Sequence, residues 1–333
     1  MLRLPPFDYL RPASAAEAIS MRADAGPAGQ FVAGGTDLYP NMKRRHETPQ
    51  TVVDVADLPE LRSVAAGPGG GLRLGAALRL SEVERQRDLL AAYPVVTCAA
   101  STISTPILRN MGTLGGNLLL DTRCNYYDQS YEWRKSIDFC MKKDGDTCWV
   151  APGSSRCWAV QSSDLAPVMV AIGAEVVLRG PEGERSIPAE ALYNDDGMRF
   201  VTKKPGELLV AAVLPAPGGW RAVYRKVRRR GSFDFPVLGT AVWARLAGGN
   251  GEAPVAEEIR IVLGAIASRP FRAKAAEDLL RGKPLTEDRI RAAADAAWKP
   301  ARPMDNTDLT LGWRKEIVRP ELTRALRAIV NSL

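Results

Sequence analysis

Apolar residues recur at helical and strand-like spacing from the start of the chain. Residues 14–26, SAAEAISMRADAG, have helical spacing, and Ser14 supplies an N-cap. A short strand is expected over 30–33, followed by a Gly-Gly turn, and Val52, Val53 and Val55 mark a second strand. This pattern predicts a small α/β unit over residues 1–55.

The pattern after residue 55 predicts a second unit that extends to residue 215. A strand is expected around 72–77, followed by a helix capped by Ser81. Residues 93–110 have helical spacing, although Pro106 interrupts their end. One face of this helix carries four apolar residues: Ala99, Ala100, Ile103 and Ile107.

The remaining pattern divides the chain once more. SSDLAPVMVAIGAEVVLRG predicts a helix that leads into a strand at 175–179, and a further strand ends at Leu214. PAPGG at 215–219 is typical of a linker. In the last part, 220–333, a run of strands precedes a run of helices, which favours the α+β class.

Composition indicates a soluble globular protein, with 46% hydrophobic and 25% charged residues among 333. No apolar run approaches the ~20 residues of a membrane helix. The start, MLRLPPFDYLRPAS, lacks a hydrophobic signal core. These features predict a cytoplasmic protein in which thiols stay reduced, so disulfides are not expected.

Charge and histidine content narrow the possible functions. The net charge is +7, but the basic residues are scattered apart from 225–230, and no aromatic ladder accompanies them, which disfavours nucleic-acid binding. His46, the single histidine, is expected on a loop and leaves no Ser-His-Asp triad or histidine-based metal site. Cys98 is predicted to be a small buried hydrophobe. No residue is assigned as a catalytic acid, base or nucleophile.

Two glycine turns are candidates for binding a dinucleotide. AGGTDL at 33–38 (the first glycine turn) and TLGGNL at 113–118 (the second glycine turn) both contain a Gly-Gly pair after apolar residues. Glycine lets main-chain N–H groups approach an anion without a Cβ in the way. Neither turn is a GxGxxG fingerprint, so a Rossmann domain is not indicated.

The chain resembles the FAD subunits of the xanthine dehydrogenase and carbon monoxide dehydrogenase family. AGGTDLYPNMK followed by TVVDVADLPEL is similar to the family's first flavin-binding stretch, and ILRNMGTLGGNL is similar to the second. SSDLAPVMVAIGAEVVL and YRKVRRRGSFDFPV resemble two later segments. The resemblance implies a two-subdomain FAD-binding domain of the xanthine dehydrogenase/vanillyl-alcohol oxidase type over 1–55 and 56–215. A C-terminal domain of the carbon monoxide dehydrogenase flavoprotein type would cover 220–333.

The resemblance also implies which residues bind FAD. The pyrophosphate and ribityl chain would lie against the first glycine turn, and further contacts would come from the second glycine turn, Asp164 and the flavin or adenine region. The residues implied are Val32, Ala33, Gly34, Gly35, Thr36, Asp37, Leu38, Thr113, Gly116, Asn117, Leu119, Asp164, Leu209 and Lys226.

A polar insert at about 120–160 separates Asn117 from Asp164 by 47 positions and carries four of the five cysteines. It is too polar to form its own core, so a metal centre is expected to fold it. Four thiolates suit zinc or a 4Fe–4S cluster, and the spacing C-x15-C-x7-C-x8-C leaves the metal open. A nearby flavin favours iron, because zinc passes no electrons. The candidate ligands are Cys124, Cys140, Cys148 and Cys157.

The insert also resembles that of one family member, a reductase in which four such cysteines hold an extra 4Fe–4S cluster. This likeness implies an oxidoreductase subunit that receives electrons from reduced ferredoxin and passes them through the cluster and FAD. The partners implied are a large molybdenum subunit and a small 2Fe–2S subunit, in a dimer of heterotrimers. Aromatic residues would cover the cluster, and Lys142 and Lys143 could form a docking face for ferredoxin. The aromatic residues are Tyr126, Tyr127, Tyr131, Trp133, Trp149 and Trp158.

Two other functions fit the residues. One is the FAD subunit of an NAD-linked molybdenum hydroxylase whose insert binds structural zinc. The other is a non-enzymatic, zinc-stapled module whose basic face contacts nucleic acid.

Overall fold

The first part of the chain forms a small parallel sheet with two helices. A computed structural model describes residues 3–248 and 253–332. The elements of this part are β1 (Asp8–Leu10), α1 (Ala15–Asp24), β2 (Gly29–Val32), α2 (Leu38–Lys43) and β3 (Thr51–Asp54). The strand order is β1-β3-β2, so Thr51 lies opposite both Asp8 and Gly29. Ser14 caps α1 by accepting the Glu17 N–H at 3.1 Å, which confirms the predicted cap.

The second part builds an antiparallel sheet with helices packed on it. Its helices are α3 (Leu80–Val83), α4 (Arg87–Ala92), α5 (Pro94–Ser101), α6 (Pro106–Arg109), α7 (Leu114–Leu118), α8 (Tyr131–Ser136) and α9 (Leu165–Ile172). Its strands are β4 (Val64–Ala66), β5 (Leu72–Gly75), β6 (Glu175–Gly180), β7 (Gly183–Pro188) and β8 (Leu208–Leu214). The strand order is β4-β5-β8-β6-β7. Every residue of α9 is buried, so this helix forms the centre of the largest core.

Two predicted features of this part are wrong. The residue that caps α3 is Arg79, because the Glu82 carboxylate accepts its N–H at 2.8 Å, and Ser81 lies inside the helix. The helix predicted over 93–110 is divided into α5 and α6. Thr105 caps α6 and Pro106 takes its first position, where a missing N–H costs nothing. Ile107 is consequently turned outward and 79% exposed.

The C-terminal part is a second antiparallel sheet covered by helices on one face. Its strands are β9 (Trp220–Val227), β10 (Leu238–Ala247), β11 (Val255–Gly264), β12 (Phe271–Arg272) and β13 (Lys283–Pro284), and its helices are α10 (Lys274–Leu280), α11 (Glu287–Trp298), α12 (Leu311–Glu316) and α13 (Val318–Val330). The main strand order is β12-β11-β10-β9. Helix α9 packs on β10 and β11, which joins this sheet to the largest core. The predicted α+β class is confirmed.

The insert is a loop with a closed neck. Arg123 and Val160 pair at its base through N–H···O bonds of 2.8 and 2.7 Å, and α8 is the helix between them. In 3–248 and 253–332, no helix combines the length and apolar character needed to span a bilayer.

Candidate functional site

The first glycine turn lies against Met111 and Gly112, which lead directly into the second glycine turn. A Cβ added to Gly34 would stand 1.9 Å from the carbonyl oxygen of Met111, and one added to Gly112 would stand 3.5 Å from Thr36 Oγ1. Gly35 has a φ of 66°, which a residue with a side chain rarely adopts, and it directs the chain into α2. Two segments more than 70 positions apart therefore form one backbone-lined surface.

Thr113 fixes the second glycine turn. Its hydroxyl accepts the Gly116 N–H at 3.1 Å and caps α7. On the inner side, a Cβ on Gly115 would lie 2.8 Å from the Cβ of Ala76. Gly116 is exposed, whereas Thr113 and Asn117 are buried. The first turn of α7 therefore presents bare backbone outward, as close approach by a ligand requires.

Other residues implied for FAD binding support these turns from behind. The Asn117 Oδ1 atom accepts the Ser163 hydroxyl at 2.7 Å and the Leu165 N–H at 3.2 Å, which ties α7 to the start of α9. Leu209 is buried in the largest core, and Leu119 packs against that core. Val32 is buried too, and Ala33 and Leu38 are half-buried. These side chains position the turns.

Asp164 and Lys226 form a buried ion pair between the second part of the chain and β9 of the C-terminal part. Their side chains are 4% and 3% exposed, and Lys226 Nζ lies 2.9 Å from Asp164 Oδ2. The Tyr224 hydroxyl donates to Asp164 Oδ1 at 2.7 Å, and Lys226 Nζ also donates to the Thr102 carbonyl at 2.9 Å. Burial raises the pKa of Asp164, and the Lys226 charge opposes that rise. The structure brings the two residues together, as expected, but their charged groups are paired with each other.

Asp37 connects the first glycine turn to the insert. Its Oδ1 accepts from Arg123 Nη2 at 2.7 Å, and its Oδ2 accepts from the Asp121 N–H at 3.4 Å. Burial raises the pKa of Asp37 against the effect of Arg123. The Arg123 guanidinium also stacks on the Phe235 ring at 3.9 Å. The neck of the insert therefore lies beside the first glycine turn.

The four cysteines of the insert surround one small cavity. Cys124, Cys140, Cys148 and Cys157 are free, buried, and line a space of about 10 Å³. Burial raises the pKa of Cys124 to about 12 and that of Cys157 to about 11. Such thiols are protonated at neutral pH until a metal displaces the proton.

Turns with unusual backbone geometry hold these cysteines. The Cys140 carbonyl accepts the Lys143 N–H at 2.8 Å, and Asp138, Phe139 and Asp144 all have φ between 58° and 70°. The Cys157 carbonyl accepts the N–H of Gly197 at 2.9 Å. Residues held in such strained backbone conformations are typical of functional loops. Within the described ranges, however, no three His, Cys, Asp or Glu side chains are arranged to hold a single metal ion.

The aromatic cover is only partly as expected. Tyr126, Tyr127 and Trp149 line the cavity, although Trp149 is also exposed, and Tyr131 and Trp133 are exposed on α8. The inward face of α8 carries Arg134, so Tyr131 and Trp133 lie on the exposed side of this helix.

The lysine face expected for ferredoxin is wrong. Lys142 is 8% exposed, and Lys143 pairs with Asp144. In the insert, one basic side chain, Lys135, is exposed against four acidic ones: Glu132, Asp138, Asp144 and Asp146. The outer surface of the insert is therefore acidic.

His46 is buried, which the sequence did not indicate, and Cys98 is exposed although it was predicted to be buried. His46 lies on a loop, as predicted, but it is buried. Its ring centre lies 4.3 Å from that of Tyr127 with the planes tilted by 30°, and its Nε2 lies 3.2 Å from the Gln129 carbonyl oxygen. Cys98 is exposed, because the buried face of α5 runs through its neighbours Thr97 and Ala99. A larger groove of about 550 Å³, between α1 and the β6–β7 turn, contains none of the predicted site residues.

We expect Gly34→Ala to lower flavin content and stability together. The added methyl group would overlap the Met111 carbonyl, so the two glycine turns must separate. Overpacking of this kind costs about 1–3 kcal/mol. The measurement is FAD per chain together with the unfolding midpoint. Gly153→Ala, where no atom lies within 4 Å, is the matched control and should behave as wild type. Full flavin content in Gly34→Ala would show that the contact between the turns is dispensable.

Comparison with known proteins gives a consistent result over both parts of the chain. A family described as "FAD binding domain in molybdopterin dehydrogenase" matches residues 5–217, and one described as "CO dehydrogenase flavoprotein C-terminal domain" matches 222–329. The aldehyde oxidoreductase FAD-binding subunit of Escherichia coli is 34% identical, covering 86% of this chain and 90% of the relative. The carbon monoxide dehydrogenase medium chain of Hydrogenophaga pseudoflava is 27% identical over 97% of each. A solved carbon monoxide dehydrogenase from that organism superposes with a TM-score of 0.80, at 27% identity over 98% of each chain.

Proposed function

The chain belongs to the FAD-binding subunits of the xanthine dehydrogenase and carbon monoxide dehydrogenase family of molybdenum enzymes, and from this we propose a specific role for it. It is the FAD and iron–sulfur subunit of a reductase that converts 4-hydroxybenzoyl-CoA to benzoyl-CoA. Membership in an oxidoreductase family argues against the zinc-stapled nucleic-acid module.

The observation that carries this proposal is the cavity lined by four buried cysteines. An ordinary flavin subunit needs no such loop, and the loop's own buried cluster is small, with cysteines as three of its five buried members. Four free thiols around one cavity, next to aromatic side chains and a cation, suit a 4Fe–4S cluster with Cys124, Cys140, Cys148 and Cys157 as ligands. Each thiolate of such a cluster binds a different iron, so the four sulfurs need not converge on one ion.

The glycine turns are proposed to hold FAD. Backbone N–H groups of the first glycine turn would meet the pyrophosphate, with Thr36 and the bare backbone of Gly116 exposed beside it. Asp37, Asn117, Asp164, Leu209 and Lys226 would fix the loops around the cofactor rather than contact it with free polar atoms. Bound together, FAD and the cluster supply an electron path between a donor and the partner subunits.

The overall reaction requires electrons to flow inward. Replacing the para-hydroxyl group of 4-hydroxybenzoyl-CoA by hydrogen consumes two electrons and two protons and releases water. Reduced ferredoxin is the proposed electron source, and the large molybdenum subunit would hold the substrate and supply the chemistry that cleaves its C–O bond. A small 2Fe–2S subunit would complete a heterotrimer that pairs into a hexamer. The setting is the cytoplasm of an organism that degrades aromatic compounds without oxygen.

A second function is favoured by one comparison. The relative at 34% identity is a subunit of an aldehyde oxidoreductase, which oxidises its substrate. In that case electrons would leave through FAD to an acceptor such as NAD⁺, and zinc would stabilise the insert.

The holoenzyme purified without oxygen distinguishes the two functions. We expect it to convert 4-hydroxybenzoyl-CoA to benzoyl-CoA with a chemically reduced ferredoxin, as followed by mass spectrometry. It should not oxidise benzaldehyde with NAD⁺. Aldehyde oxidation with zinc bound to this subunit would establish the second function and refute the first.

A further inference from the structure

We infer that Lys142 is the positioning residue that raises the reduction potential of the cluster held by the four cysteines. The inference rests on the proposed function and assigns a role within that same site. Lys142 lines the cavity together with all four cysteines. It is thus a fixed positive charge beside a group that becomes more negative when it is reduced.

The Lys142 ammonium group is held rigidly. Its Nζ donates to Asp121 Oδ1 at 2.8 Å, to Thr122 Oγ1 at 2.9 Å and to the Gly197 carbonyl at 2.9 Å. An ammonium group has three N–H donors, so all three are used. Lys142 therefore acts on the sulfur atoms through its charge, because it has no hydrogen left to donate to them.

This charge reaches the sulfur atoms in a poorly screened place. The Lys142 side chain is 8% exposed, and its Nζ lies 4.7 Å from the ring of Tyr127, which is buried. Low exposure strengthens electrostatic interactions relative to those in water.

Asp121, the carboxylate that pairs with Lys142, is also connected to the proposed flavin site. Asp121 pairs with Lys142, and its N–H donates to Asp37 Oδ2 at 3.4 Å in the first glycine turn. Asp121 compensates part of the Lys142 charge, so the two residues should act on the potential in opposite directions. Three other basic residues of the insert do not line the cavity and have partners elsewhere: Arg123 pairs with Asp37, and Arg134 and Lys143 both pair with Asp144.

The test is a redox titration of the cluster in the holoenzyme, followed by electron paramagnetic resonance. In Lys142→Gln we expect the equilibrium for cluster reduction to fall at least tenfold, which is 59 mV for one electron. Lys142→Arg keeps the charge and should titrate close to wild type. Lys143→Gln, one position along and paired at the surface, is the matched control and should not shift.

A second variant separates charge from structure. Lys142→Gln combined with Asp121→Asn removes both members of the pair, so the potential should return toward the wild-type value. Iron and acid-labile sulfide per chain are measured in every variant. This inference alone is overturned if Lys142→Gln titrates at the wild-type potential. It is also overturned if Lys142→Gln and the double variant both lose the cluster. Wild-type protein without sulfide overturns the proposed function, and this inference with it.

Discussion

Replacing Cys140 by serine is expected to remove the proposed cluster's iron and acid-labile sulfide from this subunit and to leave FAD bound. A serine hydroxyl is a far weaker ligand for iron than a thiolate. Cys140 lies in a turn whose strained residues Asp138, Phe139 and Asp144 hold its sulfur at the cavity. The proposed flavin site is built mainly from Gly34 and other residues outside the insert, so we expect it to remain intact. Iron, sulfide and flavin per chain are the quantities to measure.

Cys98→Ser is the matched control for this substitution. Cys98 is also a free cysteine, but it is exposed on α5 and does not line the cavity. It should keep wild-type iron, sulfide and flavin. Full sulfide in Cys140→Ser would contradict the ligand assignment, and equal loss in both variants would show that the effect is not specific to the cavity.

Lys226→Met should destabilise the chain by about 3–5 kcal/mol, because it leaves a buried carboxylate without its cation. Asp164 and Lys226 are almost fully buried, and the remaining partner of Asp164 is the Tyr224 hydroxyl. The substitution also removes a link from β9 to the Thr102 carbonyl after α5. The free energy of unfolding in urea measures the loss, and FAD content should fall with it.

Two variants show whether the buried charge is the cause. Lys226→Met with Asp164→Asn removes both charges and should recover much of the lost stability. Lys204→Met breaks an exposed pair with Glu182, and it should cost less than about 1 kcal/mol. If Lys226→Met were as mild as Lys204→Met, the pair would contribute nothing to stability.

Local sequence signals predicted most of the secondary structure. The Ser14 cap, the buried helix α9 and the strand that ends at Leu214 are all confirmed. Where two local signals compete, the pattern alone was not enough. Thr105 and Pro106 start a new helix, and this turned Ile107 away from the face that its spacing indicated.

The site was less accessible to sequence reasoning because it depends on contacts between distant segments. Spacing gave no sign that Gly34 would lie against Met111, or that Lys142 would be buried against Gly197. A lysine beside polar residues is normally solvated. Nothing in the sequence around His46 indicated its contact with Tyr127 of the insert.

The contact between the insert and the C-terminal domain sets an order of events during synthesis. Asn306 is fully buried; its carbonyl accepts the Asn125 N–H at 2.8 Å, and its side chain donates to the Trp158 carbonyl at 2.7 Å. It is added 182 residues (306 − 124) after Cys124. At about 5–20 residues per second, the ribosome needs on the order of 10–40 s to cover that distance. Until then the N–H of Asn125 and the carbonyl of Trp158, which flank Cys124 and Cys157, lack their partner from the C-terminal part of the chain.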